Sequence, residues 1–255
     1  MTRPRHARTT PMRPGHNIGR HIIGGVGELL ITAGVVLGLF VVWQLWWTTV
    51  QAQGEAETIM TQFRQNIPPA PRIEGELRTD EPPVSEPATY GETTGVLIVP
   101  RWYGKTRNAM PIVDGVGTDL LDLAVAGRYP ESQRVGELGN FALAGHRRTY
   151  GDSFRFINEL QTGDQIIVET ATTWYVYEVT SYEIVLPEQI EVIAPVPNQP
   201  GVEPTERVLT LTTCTSPTLG EYGNSHRWIT YATFTGWMDR ADGMPAQVLA
   251  DPGAI

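Results

Sequence analysis

The single cysteine of the chain, Cys214, closes a run in which Val208, Leu209 and Leu211 alternate with threonines. Such alternation reads as a β-strand. A polar loop, Ser216 to Ser225, follows it, and Arg227 opens a second β-rich run, Arg-Trp-Ile-Thr-Tyr-Ala-Thr-Phe. Sulfur at a strand tip is placed for nucleophilic attack on a carbonyl, provided a neighbouring cation favours thiolate. A lone cysteine also suits a packed structural thiol, since free cysteines are among the most buried residues.

Two histidines offer a proton carrier. His146 ends the apolar run Asn140-Phe-Ala-Leu-Ala-Gly, and the preceding glycine lets another backbone approach closely. His226 is the rival, but it sits beside Arg227, a cation that disfavours its protonation. Arg227 is either a strand-edge residue or a donor fork for the oxygen that turns negative when sulfur attacks. Thr213, just before the cysteine, could contact substrate or tune the thiol, or simply be a strand threonine.

These residues need a scaffold of short strands. Strands are expected at residues 95–100, 110–113, 140–145, 165–169 and 173–184, and at the two runs around Cys214 and Arg227. Short helices are expected at 118–126 and 152–160. Many strands with few helices point to a closed or sandwiched all-β architecture. There is no repeat, phosphate-cradling glycine loop or metal-ligand spacing, so no cofactor or metal is expected.

The formal charge of −9 hides an asymmetry: five arginines in the first twenty residues leave −14 for the remainder. An acidic body argues against nucleic acid, and a basic head argues for membrane topology. Residues 22–50 contain one charge, Glu28, and Leu29–Val50 is long enough to cross a hydrocarbon core as a helix. Trp43, Trp46 and Trp47 cluster at its far end, where tryptophan favours the membrane–water boundary and where a cleaved signal peptide would differ. The expected organisation is a basic cytoplasmic tail (1–21), a transmembrane helix (22–50), a linker (51–94), a catalytic body (95–238) and a C-terminal tail (239–255). The linker's prolines, among Glu, Ser and Thr, suggest a disordered, extended tether, with a brief helical continuation over 51–64.

The ordered motifs Ala144-Gly-His146, Thr210-Leu-Thr-Thr-Cys214 and Arg227 resemble those of the sortase family. The similarity spans roughly residues 95 to 237. It implies a closed eight-stranded β-barrel and a transpeptidase that cuts a C-terminal sorting signal between Thr and Gly. The roles it carries over are Cys214 as nucleophile, His146 as acid/base and Arg227 as oxyanion or substrate contact. The Gln-Leu-Trp-Trp end of the anchor and the Ala-Gly-His-Arg-Arg-Thr-Tyr-Gly run are most similar to class E, the housekeeping type of high-GC actinobacteria. A Tyr-Pro before the histidine strand is associated in that class with Leu-Ala-x-Thr-Gly rather than Leu-Pro-x-Thr-Gly signals. Tyr129-Pro130 matches it, although Gly127-Arg-Tyr-Pro-Glu-Ser departs from the expected Gly-His-Tyr-Pro-Gly-Thr. Expected partners are secreted proteins bearing the signal, a lipid II-type peptidoglycan precursor amine, and membrane lipid through one helix. The implied location is the cell membrane, single-pass, with the body outside. Pilin polymerisation, or a tethered β-domain that binds wall or protein without chemistry, are the competing readings.

Overall fold

A computed structural model describes residues 18–105 and 107–251, with side chains from Ile22 onward. Most of the expected basic tail, residues 1–17, lies outside them. The chain divides into two units after Leu45. In the first, the helix α1 (Ile18–Gln65) begins, and its apolar side chains, such as Leu29, Ile31 and Leu39, are exposed. The span from Ile22 has a window of mean hydropathy 2.2 with none of it buried inside the protein, so by length and composition it can cross a membrane.

The second unit, from Trp46, is a closed barrel of eight strands. These are β1 (Thr93–Ile98), β2 (Ala109–Asp114), β3 (Ala126–Arg128), β4 (Gly139–Ala144), β5 (Gln165–Glu169), β6 (Thr173–Val185), β7 (Arg207–Thr215) and β8 (His226–Asp239). They close in the order β1-β2-β3-β4-β7-β8-β6-β5. Closure removes the unpaired edges an open sheet would expose. Two pairings are parallel, β2 with β3 and β4 with β7; the second bears on chemistry because it brings the same ends of two strands together.

Alternation along the strands sorts the side chains. Leu97, Ile112, Leu143, Ile166, Val168, Tyr177, Leu209 and Leu211 fill the barrel. The outward Val96, Ile98, Ile167, Trp174 and Val176 form a second cluster, covered by Met60 and Phe63 of α1 and by Val248 of α3 (Ala246–Leu249). The expected eight-stranded barrel is thus the observed fold, with short helical turns between strands. The run 118–126 holds a shorter helix, α2 (Thr118–Leu121), and then β3. Residues 152–160 contain only a 3-10 turn, Ile157–Glu159.

The proline-rich stretch is extended, as its composition suggests, but it is docked rather than disordered. Gly75 N–H donates to the Met244 carbonyl at 3.0 Å, Arg78 and Trp237 exchange backbone bonds, and the Tyr175 hydroxyl donates to Pro83 O at 2.7 Å. Composition registers only what the stretch could bury by itself, whereas the barrel supplies the partners. The expected C-terminal tail is likewise integrated as far as Asp251, with the Trp174 indole donating to Gly243 O at 2.9 Å.

Candidate active site

The outward face of β7 carries Thr210, Thr212 and Cys214, and the inward face carries Leu209, Leu211 and Thr213. Cys214 is a free, partly exposed thiol. It is paired across the antiparallel β7–β8 ladder with Arg227, so the two side chains share a face. The Arg227 guanidinium donates through one nitrogen to Asn224 O (2.9 Å) and His226 O (3.0 Å), which leaves further donors of its fork for another acceptor.

The histidine arrives by the parallel pairing. Ala144 is in register with Thr212, and Gly145 N–H donates to Thr212 O at 3.2 Å. His146, two residues past Ala144, therefore lies at the same barrel end as Cys214, two residues past Thr212. Neighbouring strands are about 4.8 Å apart. The rival His226 is paired with Thr215, one residue beyond Cys214, and therefore faces the other way; its Nδ1 lies 3.0 Å from Ser225 Oγ.

Thr213 lies one residue before Cys214, on the other face of β7. It is buried, lies on the inward side of β7, and donates its hydroxyl to Gly145 O at 2.6 Å. It fastens the end of β4, immediately before His146, to the end of β7. Tyr129 does lie at the site. Its hydroxyl is 3.0 Å from Thr212 Oγ1, on the outward face two residues before Cys214. Burial raises the Tyr129 phenol above its ordinary value; the bond with Thr212 and the Arg227 charge oppose this, and negative charge at Cys214 adds to it. The phenol is therefore neutral near pH 7 and within electrostatic reach of both residues.

One residue of the site was hidden in the sequence. His146 Nε2 lies 2.8 Å from Asp122 Oδ1, both side chains being partly exposed. Asp122 follows α2 directly, and its N–H donates to Thr118 O at 3.0 Å. The sequence shows it as the second aspartate of the Asp119-Leu-Leu-Asp122-Leu run, which helical spacing absorbs. The only available signal was a carboxylate one turn before a buried strand.

The segment after His146 is held from beneath. Buried Arg147 donates to Thr215 Oγ1 (2.6 Å) and Asn158 Oδ1 (2.9 Å) and lies over the Trp228 ring at 5.5 Å. Arg148 pairs with Glu221 of the β7–β8 loop at 3.3 Å. The site so built has a sulfur, an imidazole with a carboxylate behind it, and a cation on the sulfur's own face. Among the described residues no group of three or more His, Cys, Asp or Glu side chains could hold a metal ion.

The model of the Sortase domain family matches residues 103–235. Sortase SrtE1 of Streptomyces coelicolor is 34% identical over 227 residues, covering 86% of this chain and 59% of that longer protein. Sortase SrtE2 of the same organism is 35% identical, covering 80% of this chain and 79% of that one. Among solved structures, the SrtA sortase from Actinomyces oris is similar at 61% identity with a TM-score of 0.68, over 71% of this chain and all of that one. Sortase E1 from Streptomyces coelicolor, solved with a tripeptide in the active site, is similar at 32% identity with a TM-score of 0.55, over 63% and 99%.

Proposed function

The chain belongs to the sortase family, and we propose that it is a membrane-anchored cysteine transpeptidase acting on secreted proteins with a C-terminal Leu-Ala-x-Thr-Gly or Leu-Pro-x-Thr-Gly signal. The observation that carries this reading is the shared face of Cys214 and Arg227, with His146 at the matching end of the adjacent parallel strand. The tripeptide bound in the active site of the Streptomyces coelicolor relative supports a peptide substrate.

The Cys214 thiolate attacks the Thr carbonyl carbon, and the electron pair moves to the carbonyl oxygen, opposite the Arg227 donors. When that intermediate collapses, the C–N bond to Gly breaks and the His146 imidazolium gives its proton to the departing amine. The acyl group is now a Cys214 thioester. An amine of a peptidoglycan precursor attacks it, loses its proton to His146, and expels the thiolate. No metal or cofactor enters either half-reaction.

The apolar half of α1 is the anchor in this reading. The five arginines before it favour the cytoplasmic side, which puts the barrel outside, where signal-bearing proteins and wall precursor meet.

The test is to mix the full chain in detergent with signal pentapeptides extended at both ends and a wall-type amine. Mass spectrometry should find an acyl adduct on Cys214 and, with amine, the transferred product. Cleavage that persists in Cys214→Ala would overturn the reading. Covalent multimers of one protein substrate, in place of attachment to wall amine, would move it to pilin polymerisation.

A further inference from the structure

We propose that Asp122 is a positioning residue for His146: it holds the proton on Nε2 and thereby makes Nδ1 the nitrogen that exchanges protons with substrate. The inference rests on the transpeptidase reading above and deepens it. Nε2 is engaged by Asp122 Oδ1 at 2.8 Å. A carboxylate only accepts, so the ring must donate there. The neutral imidazole then has one remaining lone pair, on Nδ1, and the imidazolium has one remaining proton to give.

The pair is built in. His146 and Asp122 lie on segments locked together just beyond them. Gly151, at φ +90°, sits so close to Ala124 that a Cβ there would meet the Ala124 Cβ at 2.2 Å. Ala124 itself has a φ of +60° and is buried against Ala52 and Ala56 of α1. Gln53 of α1 donates to Gly151 O at 3.4 Å. The Tyr150 ring lies 5.7 Å from the imidazole, centre to centre. The part of α1 in the barrel unit thus braces both the turn after Asp122 and the turn after His146. A cleft of about 210 Å³ between α1 and these turns, bordered by Glu55, Asp122 and Tyr150, leaves space beside the carboxylate.

The experiment uses the full chain in detergent, labelled with 15N-histidine, with His146 assigned by its loss in His146→Gln. In the parent protein the neutral ring of His146 should show a protonated Nε2 and an unprotonated Nδ1. Asp122→Asn keeps the shape but can turn its amide N–H toward the ring, and should shift the proton toward Nδ1. Its kcat for signal-peptide transfer should fall by at least about 10-fold with KM within about 2-fold, the pattern of a lost orienting carboxylate. Asp122→Glu, with the cleft to accommodate it, should regain part of the rate. A kcat for Asp122→Asn within about 2-fold of the parent, or an unchanged 15N pattern, overturns the proposal. If the parent chain transfers no peptide, the transpeptidase reading fails, and the 15N comparison still decides the role of Asp122.

Discussion

Cys214 and Arg227 face one another as a directly paired couple in the β7–β8 ladder. The antiparallel register of the two strands, joined by the loop Ser216 to Ser225, sets this relationship. The imidazole reaches the same place by another route, at the end of β4.

Arg227→Lys keeps the charge but loses the planar fork. We expect kcat to fall by about 100- to 1000-fold, the cost of losing an oxyanion donor. Alkylation of Cys214 by a small thiol reagent should continue in the folded variant. A kcat close to the parent value would remove Arg227 from the reaction.

Tyr129→Phe removes the hydroxyl beside Thr212. The ratio of kcat/KM for Leu-Ala-x-Thr-Gly over Leu-Pro-x-Thr-Gly peptides should drop by about 3- to 10-fold, the worth of one hydrogen bond. An unchanged ratio would restrict Tyr129 to supporting β7.

Glu169 is almost fully buried between two arginines, Arg64 of α1 at 2.7 Å and Arg240 at 2.9 Å. Glu169→Ala leaves Arg240, itself buried, without its carboxylate partner. The expected cost is about 3–5 kcal/mol, read as a lower melting temperature and a smaller unfolding midpoint in denaturant. Replacing Asp80, whose partner Arg78 is exposed, should have a far smaller effect.

Burial pushes the Tyr175 phenol from its ordinary 10.0 up to about 12. The folded state therefore keeps a proton that the unfolded chain releases. Its contribution is fully present below pH 10 and is lost as pH rises through about 12. Because the same hydroxyl donates to Pro83 O, alkaline loss of structure should begin with release of the proline-rich stretch, seen as new proteolysis between residues 76 and 92. In Tyr175→Phe that stretch should already be susceptible at neutral pH.

The placement of Cys214, Arg227 and His146 at one end of the barrel was legible because each sits at a strand end, where alternating apolar residues stop and polar residues begin. The barrel was legible for the same reason. Strand β3 was not, because its three residues, Ala126–Arg128, continue the spacing of the helix before them. Asp122 was lost in that same spacing: its partner is distant in sequence, and no local pattern encodes the encounter. The bond from Thr213 to Gly145 O was not legible, because it joins two strands distant in sequence; adjacency to Cys214 along a strand means opposite faces. The docking of the proline-rich stretch was invisible for a further reason. Its hydrogen-bond partners include Trp237 of β8, Tyr175 of β6, Met244 just before α3, and Val135 in a loop.

The two parallel and antiparallel joins of β7 also imply an order of assembly. The β7–β8 hairpin closes over a short loop, while β4 must find β7 across a long intervening chain, and short-range closures are entropically cheaper. On that argument sulfur and guanidinium are expected to be brought together by a local event, and the imidazole to join their end of the barrel in a later, global one. Under the proposed mechanism, a chain that is still maturing would carry its attacking atom without its proton donor, so the onset of turnover should report completion of the whole barrel.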